Sequence, residues 1–396
     1  MTVPGFRSLR CSPGRLRVAL TIGAVADDVL ALFLELAALP SPPGEERAVA
    51  DRVLAYLRDL GLDVGEDDAG AAVGSAIGNL YARVPGTADG EPLFFCAHLD
   101  TVPPVGPLEP VVEDGVVRNA GGTILGGDNK AAVASMLHAT RLVLAEGRQH
   151  AGFELVFTAK EEVGLKGAYA FDASRLHART GFVYDQQGPI GEIVLGTPTA
   201  RALMLRFHGR AAHAGMVPEE GRSAIAAASR AVADMRLGRL DDVTTANVGQ
   251  ISGGSARNIV PEWCTLEAEA RSHDLATLDD VVQEMLDTAA FAASVSDCEL
   301  QTEVEESYRA YRFRRDDPVV QLAATALTRC GYEPSYALTG GGADANVFNE
   351  RGLRCLNLAN GMQDIHTPDE RIAVDDLDRM VDVTLALLDV AREHAA

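Results

Sequence analysis

Histidines and carboxylates recur in this sequence where short apolar runs stop. After PLFFCA come His98 and Asp100, and after the glycine-rich TILGG come Asp128 and Asn129. After FELVFTAK come Glu161 and Glu162, GFVYD ends in Asp185, and after RCLNLANG come Asp364 and His366. Imidazole nitrogens and carboxylate oxygens are ligands for zinc and similar divalent ions. Each exit alone has an ordinary reading: Asp128 as a helix N-cap, His98 as a hydrogen-bonded core histidine, Asp185 as a turn residue. Such groups at every equivalent exit are a pattern that those separate readings do not explain. The set exceeds the three protein ligands of one catalytic zinc and suits two ions roughly 3.5–4 Å apart that share a bridging carboxylate. Residues two apart on a strand face the same way. Asp100 can therefore stand behind His98, accept its other ring N–H and fix its tautomer. Of the adjacent Glu161 and Glu162, one can bind a metal while the other takes the proton of metal-activated water. Spacing alone does not say which does which.

The elements that must position these groups can be read from periodicity. DDVLALFLELAALP and ERAVADRVLAYLRDLG have helical period, and Gly61 ends the second. NLYARVPG, PLFFCAHLD, FELVFTA, GFVYD and RCLNLAN read as short buried strands, separated by long helical patterns such as DNKAAVASMLHATRLVLAEG. That alternation predicts an α/β fold with a largely parallel sheet covered on both faces. In such a sheet ligands bind beyond the carboxyl ends of the strands, where the histidines and acids fall. From about 199 to 309 the order becomes strand, helix, strand, strand, helix, strand, that of a ferredoxin-like unit. The expected organisation is a catalytic domain formed by residues 1–198 and 310–396, with an α+β domain of residues 199–309 inserted in it.

Bulk composition narrows the partners. The 396 residues carry a net charge of −22, which repels nucleic acid and anionic membrane surfaces. No apolar run reaches the ~18 residues needed to span a bilayer. The six cysteines form no CxxC and are scattered, which fits a reducing compartment and argues against a cysteine-ligated zinc. The expected location is cytoplasmic. The basic-then-apolar MTVPGFRSLRCSPGRLRVALTIGAVA also has the outline of a signal peptide. Its apolar part is short and runs straight into an amphipathic helix, which favours an N-terminal extension.

HLDTV, LGGDNKAA, AKEEVGLKGA, YDQQG, HAG and IHTPDERI together resemble the signatures of the co-catalytic zinc metallopeptidases. That clan includes peptidase T, carboxypeptidase G2-like enzymes, aminoacylase and succinyl-diaminopimelate desuccinylase. GGGADANVFNERG followed by GMQDIHTPDERI is most similar to peptidase T and peptidase T-like proteins, and the resemblance runs from about Asp27 onward. It implies a zinc-exopeptidase-like sheet flanked by helices, with the inserted unit acting as a lid and forming homodimers in some members. It implies two divalent ions, zinc, cobalt or manganese. His98 and Asp185 would hold one, Glu162 and His366 the other, and Asp128 would bridge them. Glu161 would be the general base and Asp100 would orient His98, and the bond after Asp128 would be cis. His213 of HAGMVP would stabilise the tetrahedral oxyanion, within one chain or across a dimer. Asn258 and Arg271 would hold the polar end of the substrate, often a carboxylate. Gly340, Gly341 and Gly342 would let it approach the backbone closely. Glu269 stands where the family usually has Asp, two residues before that arginine. The segment between HLD and Asp128 is shorter than in peptidase T proper, which favours the peptidase T-like subgroup. The implied activity is metal-dependent hydrolysis of an amide bond in short peptides, of the di- or tripeptide aminopeptidase kind. An N-acyl amino acid deacylase is the alternative, and a non-catalytic binding protein on this fold is a remoter one.

Overall fold

The computed structural model describes residues 28–393; the N-terminal stretch read as a signal peptide or extension lies outside them. An eight-stranded sheet runs in the spatial order Val64–Glu66, Leu80–Val84, Phe153–Thr158, Leu93–His98, Thr180–Gln186, Arg354–Ala359, Glu192–Gly196, Ser335–Leu338. The four strands from Phe153–Thr158 to Arg354–Ala359 are mutually parallel. Antiparallel pairs flank them on both sides, so the sheet is parallel at its centre and mixed toward its edges. The central strands are continuous apolar runs because both faces are covered. Phe95, Ala97, Leu155, Phe157, Phe182, Tyr184, Leu356 and Leu358 face one core, packed with the helices Val29–Ala37, Gly127–Glu146 and Val374–Glu393. Their neighbours Phe94, Cys96, Val156, Val183 and Cys355 face a second core with Phe171 and Phe348. This alternation is the period of two of a pleated strand.

Residues 199–308 build a separate sheet. Its strands Thr199–His208, Trp263–Ser272, Thr244–Gly253 and Glu299–Tyr308 are all antiparallel, in the spatial order fourth, first, third, second by sequence, with Gly238–Asp241 as an added edge. The helices Ala224–Asp234 and Leu275–Val295 pack on one face, capped by Ser223 and Asp274. Leu203, Leu205, Phe207, Leu266, Ala228, Leu278, Val282 and Met285 close a core of their own there. A small third sheet joins Pro110–Glu113, Val116–Asn119 and Arg371–Ala373. Sequence reading did not find it. It folds from the compact segment before Asp128 and ties that segment to the residues after His366.

Candidate active site

The parallel register sets the site. His98 pairs with Thr158 at the ends of neighbouring strands, and Asp185 lies near the end of the next. His98 Nε2 is 3.1 Å from Asp128 Oδ1, 3.6 Å from Asp185 Oδ1 and 3.9 Å from Glu161 Oε2. His366 Nε2 is 3.2 Å from the other Asp128 oxygen and 3.1 Å from Glu162 Oε2. Two histidines from distant parts of the chain therefore meet the two oxygens of one carboxylate. The backbone is unusual at these positions. The Asp128–Asn129 bond is cis, and Lys160, Asp364 and His366 have positive φ without being glycine, a conformation that tends to concentrate at functional positions. Asp364, at the same strand exit, turns instead to Arg371.

Asp100 does more than stand behind His98. Its backbone carbonyl accepts from His98 Nδ1 at 2.8 Å, and its carboxylate is 3.5 Å from that nitrogen. The two carboxylate oxygens accept the N–H groups of Glu161 at 2.9 Å and Glu162 at 3.1 Å. Both glutamates reach the same centre. His98, Asp128 and Glu162 bring donor atoms within 4.8 Å of one another, and so do His98, Glu161 and Asp185. Distance alone therefore leaves either glutamate within reach of a metal.

The electrostatics show an excess of buried acid. Burial pushes Glu161 well above the usual carboxylate range, helped by Asp185, Asp344 and Glu162, while His98 opposes the rise. Burial and then Asp128 push Asp185 up to about 7. Burial would lower His98, but Glu161, Asp100, Asp128 and Asp185 outweigh it and raise it well above an ordinary imidazole. Hydrogen bonds to Asp128 and Glu162 raise His366 to about 10. Four carboxylates facing two imidazoles, most of them out of water, form a donor set that divalent cations fit. The cluster opens into a cavity of about 540 Å3 whose wall includes Glu269, Arg271, Tyr308, Gly341 and Gly342.

Arg271 therefore reaches the cavity, and its Nη2 donates to Glu269 at 2.8 Å. Gly341 lies at the wall, and Gly340 opens on an adjoining recess also lined by Arg271. At Gly342 a Cβ would lie 2.4 Å from the Tyr308 ring, so a side chain rather than a substrate takes up the space. His213 and Asn258 are not brought to the cavity. They neighbour each other at an exposed tip, where Ala214 N donates to the Asn258 carbonyl and His213 bridges to Ile259. Ala200, at the cavity, and His208, before that tip, lie near opposite ends of one extended strand, about 26 Å apart at ~3.3 Å per residue. The oxyanion role expected of His213 and the substrate role expected of Asn258 are thus not provided by this arrangement of a single chain.

Three residues escaped the sequence reading. Glu370, buried, accepts Leu125 N at 2.8 Å and Gly126 N at 2.9 Å on one oxygen, and Asp128 N at 3.0 Å on the other. In PDERI it reads as solvated charge, and nothing in its spacing marks it. Asn357 accepts Asp185 N at 2.9 Å and donates to the Asp185 carbonyl at 3.0 Å. A lone amide inside the apolar run RCLNLA was the visible signal for it. Tyr308 ends a strand, and its place in the cavity wall appears only in the fold.

Comparison with known proteins agrees with this geometry. The model of peptidase family M20/M25/M40 matches residues 94–390. A Bacillus subtilis protein called uncharacterized protein YqjE is 37% identical over 361 residues, covering 91% of this chain and 97% of its own. The aminopeptidase PepT of Bacillus cereus is 36% identical with a TM-score of 0.78, and a tripeptidase of Staphylococcus aureus is 34% identical with a TM-score of 0.83. Each covers 92% of this chain and 98% of its own. Among the described residues no helix is long and apolar enough to cross a membrane. The chain belongs to peptidase family M20/M25/M40 and is a metallopeptidase of the peptidase T-like kind.

Proposed function

We propose that the protein hydrolyses an amide bond of di- or tripeptides with two divalent ions held around Asp128. The observation that carries this is the sharing of one carboxylate by two histidines, His98 at 3.1 Å and His366 at 3.2 Å. His98 and Asp185 would hold one ion and Glu162 and His366 the other, with Asp128 between. When bound, such ions polarise a carbonyl and bring the pKa of water toward neutrality. Glu161 takes the proton of the attacking water and delivers it to the leaving amine. Its burial suits that role, because a carboxylate pushed upward is a stronger base than an exposed one. Asp100 and Asn357 hold His98 and Asp185 in place, and Arg271 anchors the polar end of the substrate.

The test is a panel of di- and tripeptides beside N-acetyl amino acids, on metal-loaded and chelated protein. Peptide hydrolysis lost on chelation and restored by metal supports the proposal, whereas hydrolysis confined to N-acetyl amino acids makes the protein a deacylase. Full activity after Glu161→Ala would sink the mechanism. His213 would serve the site only from a closed lid or a second copy of the chain. Activity regained on mixing Glu161→Ala and His213→Ala chains would show exchange between copies, and a strictly monomeric active enzyme would rule it out.

A further inference from the structure

The catalytic cavity is walled by both parts of the chain. Asp128, Glu161, Asp185 and His366 line it from the large sheet, and Ala200, Ala202 and Ser307 line it from the inserted unit. The gap between the two sides is therefore set by how that unit is mounted. Residues 199–308 are one continuous segment, so the chain crosses to the unit once and returns once. Thr197 lies on the way in, before the strand Thr199–His208, and Arg309 on the way out, after the strand Glu299–Tyr308. The crossings pair with each other: Phe313 N donates to the Leu195 carbonyl at 2.7 Å, Thr197 N to the Tyr311 carbonyl at 3.3 Å and Ala310 N to Thr199 Oγ1 at 2.9 Å. Two strands without further support are a weak mount. Asn346 supplies the support. It stands on the helix Asp344–Glu350 and is 1% exposed. Its Nδ2 donates at 2.6 Å to Thr197 Oγ1 and at 2.6 Å to the Arg309 carbonyl, and its Oδ1 accepts Ala343 N at 3.0 Å. One buried amide thus joins both crossings to the catalytic domain, with both hydrogens and its oxygen engaged. Its neighbour Val347 closes an apolar contact with Ala200 and Tyr308 at the same joint.

We infer that Asn346 is a positioning residue, which fixes the inserted unit, and with it one wall of the cavity, at a set distance from the metal-binding side. This rests on the peptide-hydrolysis reading above. A tripeptide has atoms enough to touch both sides at once, so a displaced wall misplaces its scissile bond, and a shift of about 1 Å costs on the order of a hundredfold in rate. An amino-acid amide puts its single amide bond at the metal side and has little left to reach the wall. Loss of Asn346 therefore separates the two substrates, whereas damage to the metal centre or to the fold slows both alike.

The test uses the metal-loaded full-length protein with Asn346→Ala and Asn346→Asp as variants. Asn346→Asp keeps the size and the acceptor for Ala343 N, but sets a carboxylate oxygen against the Arg309 carbonyl. Small-angle scattering reads the mounting without any substrate. Both variants should show a larger radius of gyration than the parent and bind the same number of zinc ions. Their kcat/KM for a tripeptide should fall about 10–100-fold, and that for an amino-acid amide by less than about threefold. Thr197→Val removes one of the two acceptors at similar volume and should shift both readouts in the same direction, and it serves where Asn346→Ala does not fold. Thr197→Ser restores the hydroxyl and should restore the parent values. Unchanged scattering overturns the inference. So does an equal loss on both substrates, or a loss of bound zinc, because Asn346 would then support the fold or the metal centre at large. A parent that turns over neither substrate overturns the hydrolytic reading instead, and scattering still decides the mounting.

Discussion

Replacing Glu370 tests whether the site is held from behind. Its carboxylate collects the N–H groups of Leu125, Gly126 and Asp128, which form the turn that presents Asp128 to both histidines. Glu370→Gln keeps the size and one oxygen. If that oxygen stays with Leu125 and Gly126, the new amide faces Asp128 N, donor against donor. One bond to a charged acceptor is lost and one buried N–H is left unpaired, a cost of about 1–3 kcal/mol. Glu370→Ala strands all three N–H groups and opens a cavity, so a loss of roughly 3–6 kcal/mol is expected. A displaced Asp128 also weakens metal binding, by about 10–100-fold on the scale usual for groups that orient ligands. Lys130 adds a second readout. Burial lowers its ammonium to about 7 and the charge of Glu370 opposes that fall, so Glu370→Gln should lower it further. Urea unfolding of the metal-free protein gives the first quantity, and titration with zinc or manganese, followed by activity, gives the second. If Glu370→Gln unfolds within about 0.5 kcal/mol of the parent, the size of a typical surface substitution, and takes up metal at the same concentration, the positioning argument is wrong.

Glu161→Gln should cut kcat by about 10²–10⁴ while metal uptake persists; a loss of less than tenfold would remove Glu161 as the base. The metal-free protein should lose stability as pH rises from 5 to 7, above which the lowered ammonium of Lys130 opposes the trend. Asp185, raised to about 7, keeps a proton that the unfolded chain sheds near 4, and the contribution of His366, raised to about 10, is complete below about 6.5 and lost as pH climbs through that raised value. The rise in Tm on adding metal should grow over the same interval, because the ligands must be deprotonated; a metal-free Tm that climbs from pH 5 to 7 would contradict the sign. Gly342→Ala should cost about 1–3 kcal/mol through its 2.4 Å clash with the Tyr308 ring, measured by thermal unfolding, and Gly340→Ala, which meets nothing within 4 Å, should not.

Most of the frame was legible because burial leaves a mark on sequence. FFCA, LVF and FVY are apolar at every position, since residues facing opposite ways both enter cores, and each is followed within four residues by a ligand-type residue, His98, Glu161 or Asp185. What the sequence hid was of another kind. The sheet of Pro110–Glu113, Val116–Asn119 and Arg371–Ala373 joins short, half-exposed strands far apart in the chain, and no periodicity reports such a pairing. Glu370 is buried by what folds over it, and its sequence neighbours Asp369 and Arg371 look like solvated charge. The place of His213 was hidden for a related reason: in the single chain it lies at an exposed tip away from the cavity. A motif states which residue type is needed, but that HAG follows the end of the strand Thr199–His208 remote from Ala200 and the cavity is settled only by the fold.

The register also explains why two adjacent glutamates both face one centre. Along a regular strand Glu161 and Glu162 would face opposite ways. Here the strand ends at Thr158, Lys160 turns to positive φ, and the next two N–H groups are drawn to the two oxygens of Asp100. One carboxylate thus fixes the bend that swings both side chains inward, while the same residue holds His98 through its carbonyl at 2.8 Å. Asp100 belongs to both halves of the site, so its loss cannot be confined to the tautomer of one histidine. Asp100→Asn can still accept from one of the two N–H groups, but its amide faces the other, donor against donor. The expected result is a fall in kcat from misplaced Glu161 together with weaker metal binding through His98 and Glu162. An Asp100→Asn variant that loses activity with unchanged metal affinity would show that the bend is held by something else. The next candidate is the buried Glu46, whose carboxylate accepts Lys160 N at 3.1 Å.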